Sequence, residues 1–113
     1  MRTITLVISS RESTNRRFLR AFRGGRQGTF ISFDSPALLF KVLTDKRWEL
    51  LKLMTGAGPL TIREAARRAG RGVKAVHSDV HALLNTGILQ KTDKGLIDFP
   101  FDAVRVDFTL KAA

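Results

Sequence analysis

The side chains best suited to chemistry gather in one short stretch. Arg67, Arg68, Arg71 and Lys74 place four cations within eight residues, and Ala75, His77, Ser78 and His81 follow directly, with Lys91 and Lys94 a little further on. Guanidinium and ammonium groups bind phosphate oxygens, and short polar side chains beside them reach the edges of bases. This is a set for binding rather than for bond-breaking. The sequence has no cysteine, which removes a thiol nucleophile, a disulfide, a thiolate zinc site and a thiol redox switch. It has no phosphate-loop glycine pattern. His77 and His81 enclose Ser78, Asp79 and Val80 where a zinc-protease helix would carry its Glu. Ser78, Asp79 and His81 are neighbours in sequence, but a shared helix fans them apart and prevents a triad. As a metal pair, His77 and His81 lack a supporting Cys or carboxylate. No catalytic activity, metal or cofactor is expected.

Those residues need a scaffold, and the surrounding pattern supplies one. Pro59 discourages a helix running through, and Thr61 and Glu64 form a capping box at a helix start. Ile62, Ala65, Ala66 and Ala69 recur at helical spacing, three of them small enough to let a second helix approach. Gly70 stops that helix, and Gly70, Arg71 and Gly72 make a tight connection whose glycines can accept positive φ. A second helix then turns Val73, Val76, Val80, Leu83 and Leu84 inward and Lys74, Ser78, His81 and Asn85 outward, with His77 on the border. Such a helix suits a major groove, which asks for one docked apolar face and polar donors opposite. Arg67 and Arg68 reach a nucleic-acid backbone from the first helix, unless Glu64 takes Arg68 at i+4. Ile88 to Thr92 and Leu96 to Phe99 read as two strands joined by Thr92-Asp93-Lys94-Gly95, with Lys91 and Lys94 beside the tip.

Upstream, Ile4, Leu6 and Ile8 alternate with Thr3, Thr5 and Val7 as in a half-buried strand. A helix is expected next, with Ser9 and Glu12 as a capping box, Phe18, Leu19 and Phe22 apolar, and Arg16, Arg17, Arg20, Arg23 and Arg26 on its other faces. Gly24, Gly25 and Gly28 mark a loop before a strand at Thr29 to Phe33. Helices are predicted over Pro36 to Leu43, with Ser35 as N-cap, and Asp45 to Met54, with Thr44 as N-cap. Leu38, Leu39, Leu43, Trp48, Leu51 and Met54 are core candidates. Phe99 and Phe101 read as core rather than as base-stacking aromatics, because the glycine and basic pattern of RNA-binding sheets is absent. Val104, Val106, Phe108 and Leu110 alternate with Arg105, Asp107, Thr109 and Lys111 as an amphipathic strand. Its apolar side should be buried against the other strands or against the same strand of a second subunit.

A chain of 113 residues suits one domain. Its net charge is +10, and the excess is uneven. Residues 1–34 carry seven basic and two acidic side chains, residues 35–87 nine and four, and the remainder four of each. A positive surface favours a polyanion through counterion release. No apolar run approaches the ~20 residues of a membrane span, and the N-terminal stretch lacks the continuous apolar core of a secretory signal. A cytoplasmic protein without membrane association is expected.

With these stretches together, LTDKRWELLKL (43–53), GPLTIREAARRAG (58–70), VKAVHSDVHALL (73–84) and FPFDAVRVDFTL (99–110), the chain resembles the small prokaryotic winged helix-turn-helix proteins, predicted transcriptional regulators of MarR-like or ArsR-like type, some of which act as antitoxins. The resemblance implies an α+β winged helix-turn-helix core at 35–99, with an N-terminal strand-helix-strand extension at 1–34 and a C-terminal strand at 100–113. It makes Val73 to Asn85 the recognition helix and Ile88 to Phe99 the wing. It implies sequence-specific binding of double-stranded DNA, homodimerisation and, as the alternative, a partner toxin. Gly72 departs from the pattern, because relatives often offer an Asp-like N-cap there.

Overall fold

A computed structural model describes residues 2–8 and 29–108. Within them the chain runs β1 (Thr3–Ile8), β2 (Thr29–Phe33), α1 (Pro36–Val42), α2 (Asp45–Met54), α3 (Ile62–Ala69), α4 (Val73–Thr86), β3 (Gln90–Lys91), β4 (Ile97–Asp98) and β5 (Ala103–Asp107). This is a small α+β domain. The helix expected near Arg11 to Arg23, its capping box, its five arginines and Leu110 lie outside the described residues.

The alternation of β1 places Ile4 and Leu6 in the core with no solvent exposure. β1 is the central strand of a three-stranded sheet ordered β2-β1-β5. It pairs with both neighbours in parallel, with Ile4 opposite Thr29 and Val104, and Leu6 opposite Ile31 and Val106. Paired residues point to one face, so Ile31, Phe33, Val104 and Val106 share the side of Ile4 and Leu6. Thr3, Thr5 and Val7 are half-buried as well, as suits the middle strand of a parallel sheet. Asp102 ties the two termini of this layer. Its carboxylate accepts the Arg2 N–H at 2.8 Å and its own N–H donates to the Arg2 carbonyl at 2.8 Å.

The helices begin where a side-chain oxygen satisfies an otherwise orphaned amide. Ser35 Oγ accepts the Leu38 N–H at 3.2 Å, Thr44 Oγ1 that of Arg47 at 3.3 Å, and Thr61 Oγ1 that of Glu64 at 3.0 Å. The reciprocal half of the expected capping box is missing, because the Glu64 carboxylate is engaged by Arg67 and Arg68 instead. α3 ends at Gly70 with φ 66°, and the Arg71 N–H returns to the Ala66 carbonyl at 3.1 Å. That bond belongs to a Schellman cap. Gly72 does not use its freedom. Its φ is −64°, ordinary extended backbone at the N-cap of α4, and no side chain caps that helix.

The core gathers Leu39, Leu50, Leu51, Met54, Ala65, Ala66, Val76, Val80 and Leu83 from the helices with Ile4, Leu6, Ile88, Leu89, Ile97, Phe99 and Phe101. Three expected core positions lie elsewhere. Trp48 is 39% exposed, because the inward stripe of α2 is 47-50-51-54 and position 48 falls about 100° off it. Leu38 is exposed, since α1 buries only Leu39 fully. Val73 is exposed too. The buried stripe of α4 is 76-79-80-83, which starts one turn after it and includes Asp79. Leu43 and Leu84 pack against the core half-buried.

The hairpin is shorter than the sequence suggests, because Ile88 and Leu89 turn into the core rather than join the ladder. β3 and β4 pair antiparallel, Gln90 with Asp98 and Lys91 with Ile97. Gly95, with φ 80°, makes the turn, and Thr92 Oγ1 accepts the Leu96 N–H at 3.1 Å. Leu60 and Ile97 exchange both backbone hydrogen bonds at 2.8 Å, which fixes the hairpin to the residue before the N-cap of α3. At the other end of the sequence, β5 takes an edge position. Within one chain its apolar side is only partly covered: Val104 is half-buried, while Val106 and Phe108 are exposed.

Val80 has no solvent exposure and Ser78 is exposed on the same helix. Val80→Asp should therefore cost about 3 kcal/mol or more of stability by burying an unpaired carboxylate. Ser78→Ala should stay within about 0.5 kcal/mol of the parent. Urea unfolding of both variants checks the assignment of faces.

Candidate nucleic-acid interface

The buried stripe of α4 contains one charged residue, Asp79, and a carboxylate removed from water needs compensating partners. Two arginines provide them. Arg47 Nε, from the inward stripe of α2, donates to Asp79 Oδ1 at 3.0 Å, and Arg71 Nη1, from the connection between α3 and α4, donates to Oδ2 at 2.7 Å. Arg47 also donates through Nη1 to the Val42 carbonyl at 2.9 Å, at the end of α1. All three side chains are largely buried. Arg71, expected to meet a nucleic acid, thus has part of its guanidinium committed within the protein.

A second cluster sits on α3. Arg67 donates to both oxygens of Glu64, at 2.9 Å through Nε, and Arg68 Nε donates to Oε1 at 3.0 Å. The hydrogen bonds from Arg67, then those from Arg68, hold the Glu64 carboxyl down to about 2, and Glu64 in turn raises the pKa of Arg67. Arg67 and Arg68 are nonetheless exposed at their outer faces. Glu64 removes one charge from this pair of cations and leaves the cluster net positive.

Lys74, Ala75, His77, Ser78, His81 and Asn85 are all exposed on α4. The His77 and His81 rings lie 4.1 Å apart between centroids, with their Nε2 atoms 3.0 Å apart. One ring donates and the other accepts. Because Asp79 is the only acid of α4 and is turned inward, the exposed face of this helix carries no negative charge. Lys91 and Lys94 are exposed on the hairpin. The described geometry brings His77 to His81, Arg67 and Arg68 to Glu64, and Arg71 to Asp79. Among the described residues no side-chain hydrogen bond or ion pair joins the hairpin lysines to α4.

The sequence reading missed Arg47 and Asp79 as a structural pair. A signal was present: position 79 completes the i, i+3, i+4, i+7 spacing of 76-79-80-83, and position 47 does the same for 47-50-51-54. A shallow depression of about 130 Å³ lies beside Trp48, lined by Leu51, Lys52, Thr55, Phe99 and Val104 among others. Among the described residues no three His, Cys, Asp or Glu side chains gather as a metal site, and no helix is long and apolar enough to cross a membrane.

The family model of HVO_A0114 matches residues 42–106, more than half the chain, and the chain belongs to that family. The match begins at the end of α1 and includes the Asp79 cluster, the hairpin and most of β5, but neither β1 nor β2. No curated protein and no solved structure matches the chain.

Asp79→Ala leaves two arginines without their shared counter-charge and should cost about 2 to 4 kcal/mol. Arg71→Ala, which leaves Arg47 on the carboxylate, should cost less; chemical denaturation of the two variants gives the order. A pH series addresses Glu64. Its folded pKa of about 2 lies below its ordinary 4.5, so its stabilising effect is fully present above about pH 4.5 and is lost as pH falls towards 2. Glu64→Gln should flatten the acid limb of a melting-temperature profile in that window.

Proposed function

We propose that the protein is a sequence-specific transcriptional regulator that binds double-stranded DNA as a winged helix-turn-helix. α4 serves as the recognition helix in the major groove, and the β3-β4 hairpin serves as the wing on the backbone or minor groove. The observation that carries this reading is the exposed face of α4, where Lys74, His77, Ser78 and His81 stand without any exposed carboxylate. A helix with that face meets a polyanion without repulsion and offers donors to base edges.

Three further features support it. α3 and α4 are joined by a tight, Schellman-capped turn, which holds their crossing, as a helix-turn-helix needs. No side chain caps the first amides of α4, so they are open to a phosphate, which the positive end of a helix favours. The hairpin is hydrogen-bonded to Leu60, the residue before the N-cap of α3, which couples the wing to the helix pair. Lys74 and the hairpin lysines Lys91 and Lys94 then supply phosphate contacts, with Arg67 and Arg68 adding charge from α3. His77, Ser78 and His81, beside Ala75, read bases. Arg71 works chiefly as a strut, positioning α4 through Asp79. The resemblance to MarR-like and ArsR-like regulators points the same way.

Binding to a duplex selected from random fragments should weaken steeply with salt. Each phosphate neutralised contributes about 0.9 to the log-log slope, so Lys74→Ala should reduce the slope by about one unit. Ser78→Ala should alter sequence preference with less change of slope. An affinity that is flat across salt concentrations, or equal for duplex DNA and single-stranded RNA, would sink the proposal.

A further inference from the structure

β5 is the edge strand of the three-stranded sheet, and among the described residues no strand pairs with its outer side. Its backbone is set up to accept one. The Ala103 N–H is directed at β1, bonding the Arg2 carbonyl. By the alternation of a strand, the amide and carbonyl groups of Val104 and Val106 then point away from β1, towards the open edge. The side chains are unusual for a free edge. Val106 and Phe108 are each 39% exposed, and Phe108 packs edge-to-face on Phe40 of α1, itself 59% exposed, with ring centroids 6.2 Å apart. An exposed apolar edge strand is a template for another strand.

We propose that the occupant is a second copy of this chain, with β5 pairing antiparallel to its own mate about a two-fold axis through Val106. The charges choose this register. Arg105 and Asp107 lie on the sheet face opposite Val104 and Val106, with side chains 63% and 53% exposed and only a loose 3.8 Å contact between them. A two-fold axis perpendicular to the sheet keeps each side chain on its own face, so a residue must pair with its own equivalent at the axis. Centred on Arg105, the pairing sets arginine against arginine. Centred on Asp107, it sets aspartate against aspartate. Centred on Val106, it sets Arg105 against the partner's Asp107 twice over.

These ion pairs fall at non-hydrogen-bonded positions, where opposite Cα atoms approach to about 4.5 Å. Val106 and its equivalent exchange backbone hydrogen bonds at the axis, and Val104 covers the partner's Phe108. The two sheets become one of six strands, β2-β1-β5-β5-β1-β2. The inference rests on the DNA-binding reading only for what the dimer is used for, namely the presentation of two recognition helices to one duplex. Its existence is independent of that reading.

Sedimentation of the full chain without DNA tests it. A dimer is expected at micromolar concentration. Arg105→Asp and Asp107→Arg should each raise the dimer dissociation constant on the order of tenfold or more, by turning two favourable pairs into repulsive ones. The combined R105D/D107R variant should restore association to near the parent value. Circular dichroism confirms that each variant is folded. Val106→Cys places the only thiol of the chain at the axis, where a Cα separation of about 5.5 Å suits a disulfide. It should cross-link under mild oxidation, whereas Glu49→Cys, exposed on α2, should not. A monomeric parent, single variants that leave association unchanged, a combined variant as weak as the single ones, or a dimer that Val106→Cys fails to cross-link would each overturn the proposal. A dimer that does not bind DNA would leave it standing and refute the proposed function instead.

Discussion

The carboxylate of Asp79 joins the helical unit at three points. It receives Arg47 from α2 and Arg71 from the connection between α3 and α4, while it is itself part of α4. Arg47 extends the link to the carbonyl that closes α1. A largely buried ion triad gives little net stability compared with a well-packed apolar core, since desolvation opposes the Coulomb gain. Its worth is in geometry. Each guanidinium is anchored at a set distance and angle from the carboxylate, so rotation of α4 about its axis would strand charges away from water.

That constraint also decides the character of the exposed face of α4. With its one acid turned inward and neutralised, the helix offers the solvent Lys74, the neutral polar and small side chains that follow it and the apolar Val73, but no carboxylate. Arg71 has part of its guanidinium committed in the process, so the exposed positive charge at the start of α4 comes from Lys74. The Glu64 cluster works differently. It lies at the surface, where water screens the pairs, and it trims rather than abolishes the positive charge of α3.

The two layers of the domain are joined through a short segment. Phe99 and Phe101 are buried and contact each other edge-to-face at 5.6 Å, Arg2 lies 5.3 Å over the Phe101 ring, and Asp102 binds the Arg2 backbone. The end of the hairpin is thereby fixed to the beginning of the parallel sheet. The HVO_A0114 match runs from the end of α1 through this segment to Val106, so it includes the helical unit and the edge strand but not the strand on which β5 lies.

What the sequence determined by itself was local. Ser35, Thr44 and Thr61 mark their helix starts, and Gly70 and Gly95 their turns, because a cap or a left-handed residue acts on amides only a few positions away. The alternation of Ile4 and Leu6 and the 76-80-83 spacing likewise needed no knowledge of distant residues. Tertiary structure decided everything that depends on a partner. Asp79 is buried because Arg47, 32 positions earlier, reaches it. Trp48 is left half in solvent because the inward stripe of α2 passes beside it, and Val73 is exposed because the buried stripe of α4 begins one turn later. Glu64 abandons Thr61 for two arginines. Burial of a charge, or exposure of a large apolar ring, is a property of what stands opposite, and that is settled only when the elements pack.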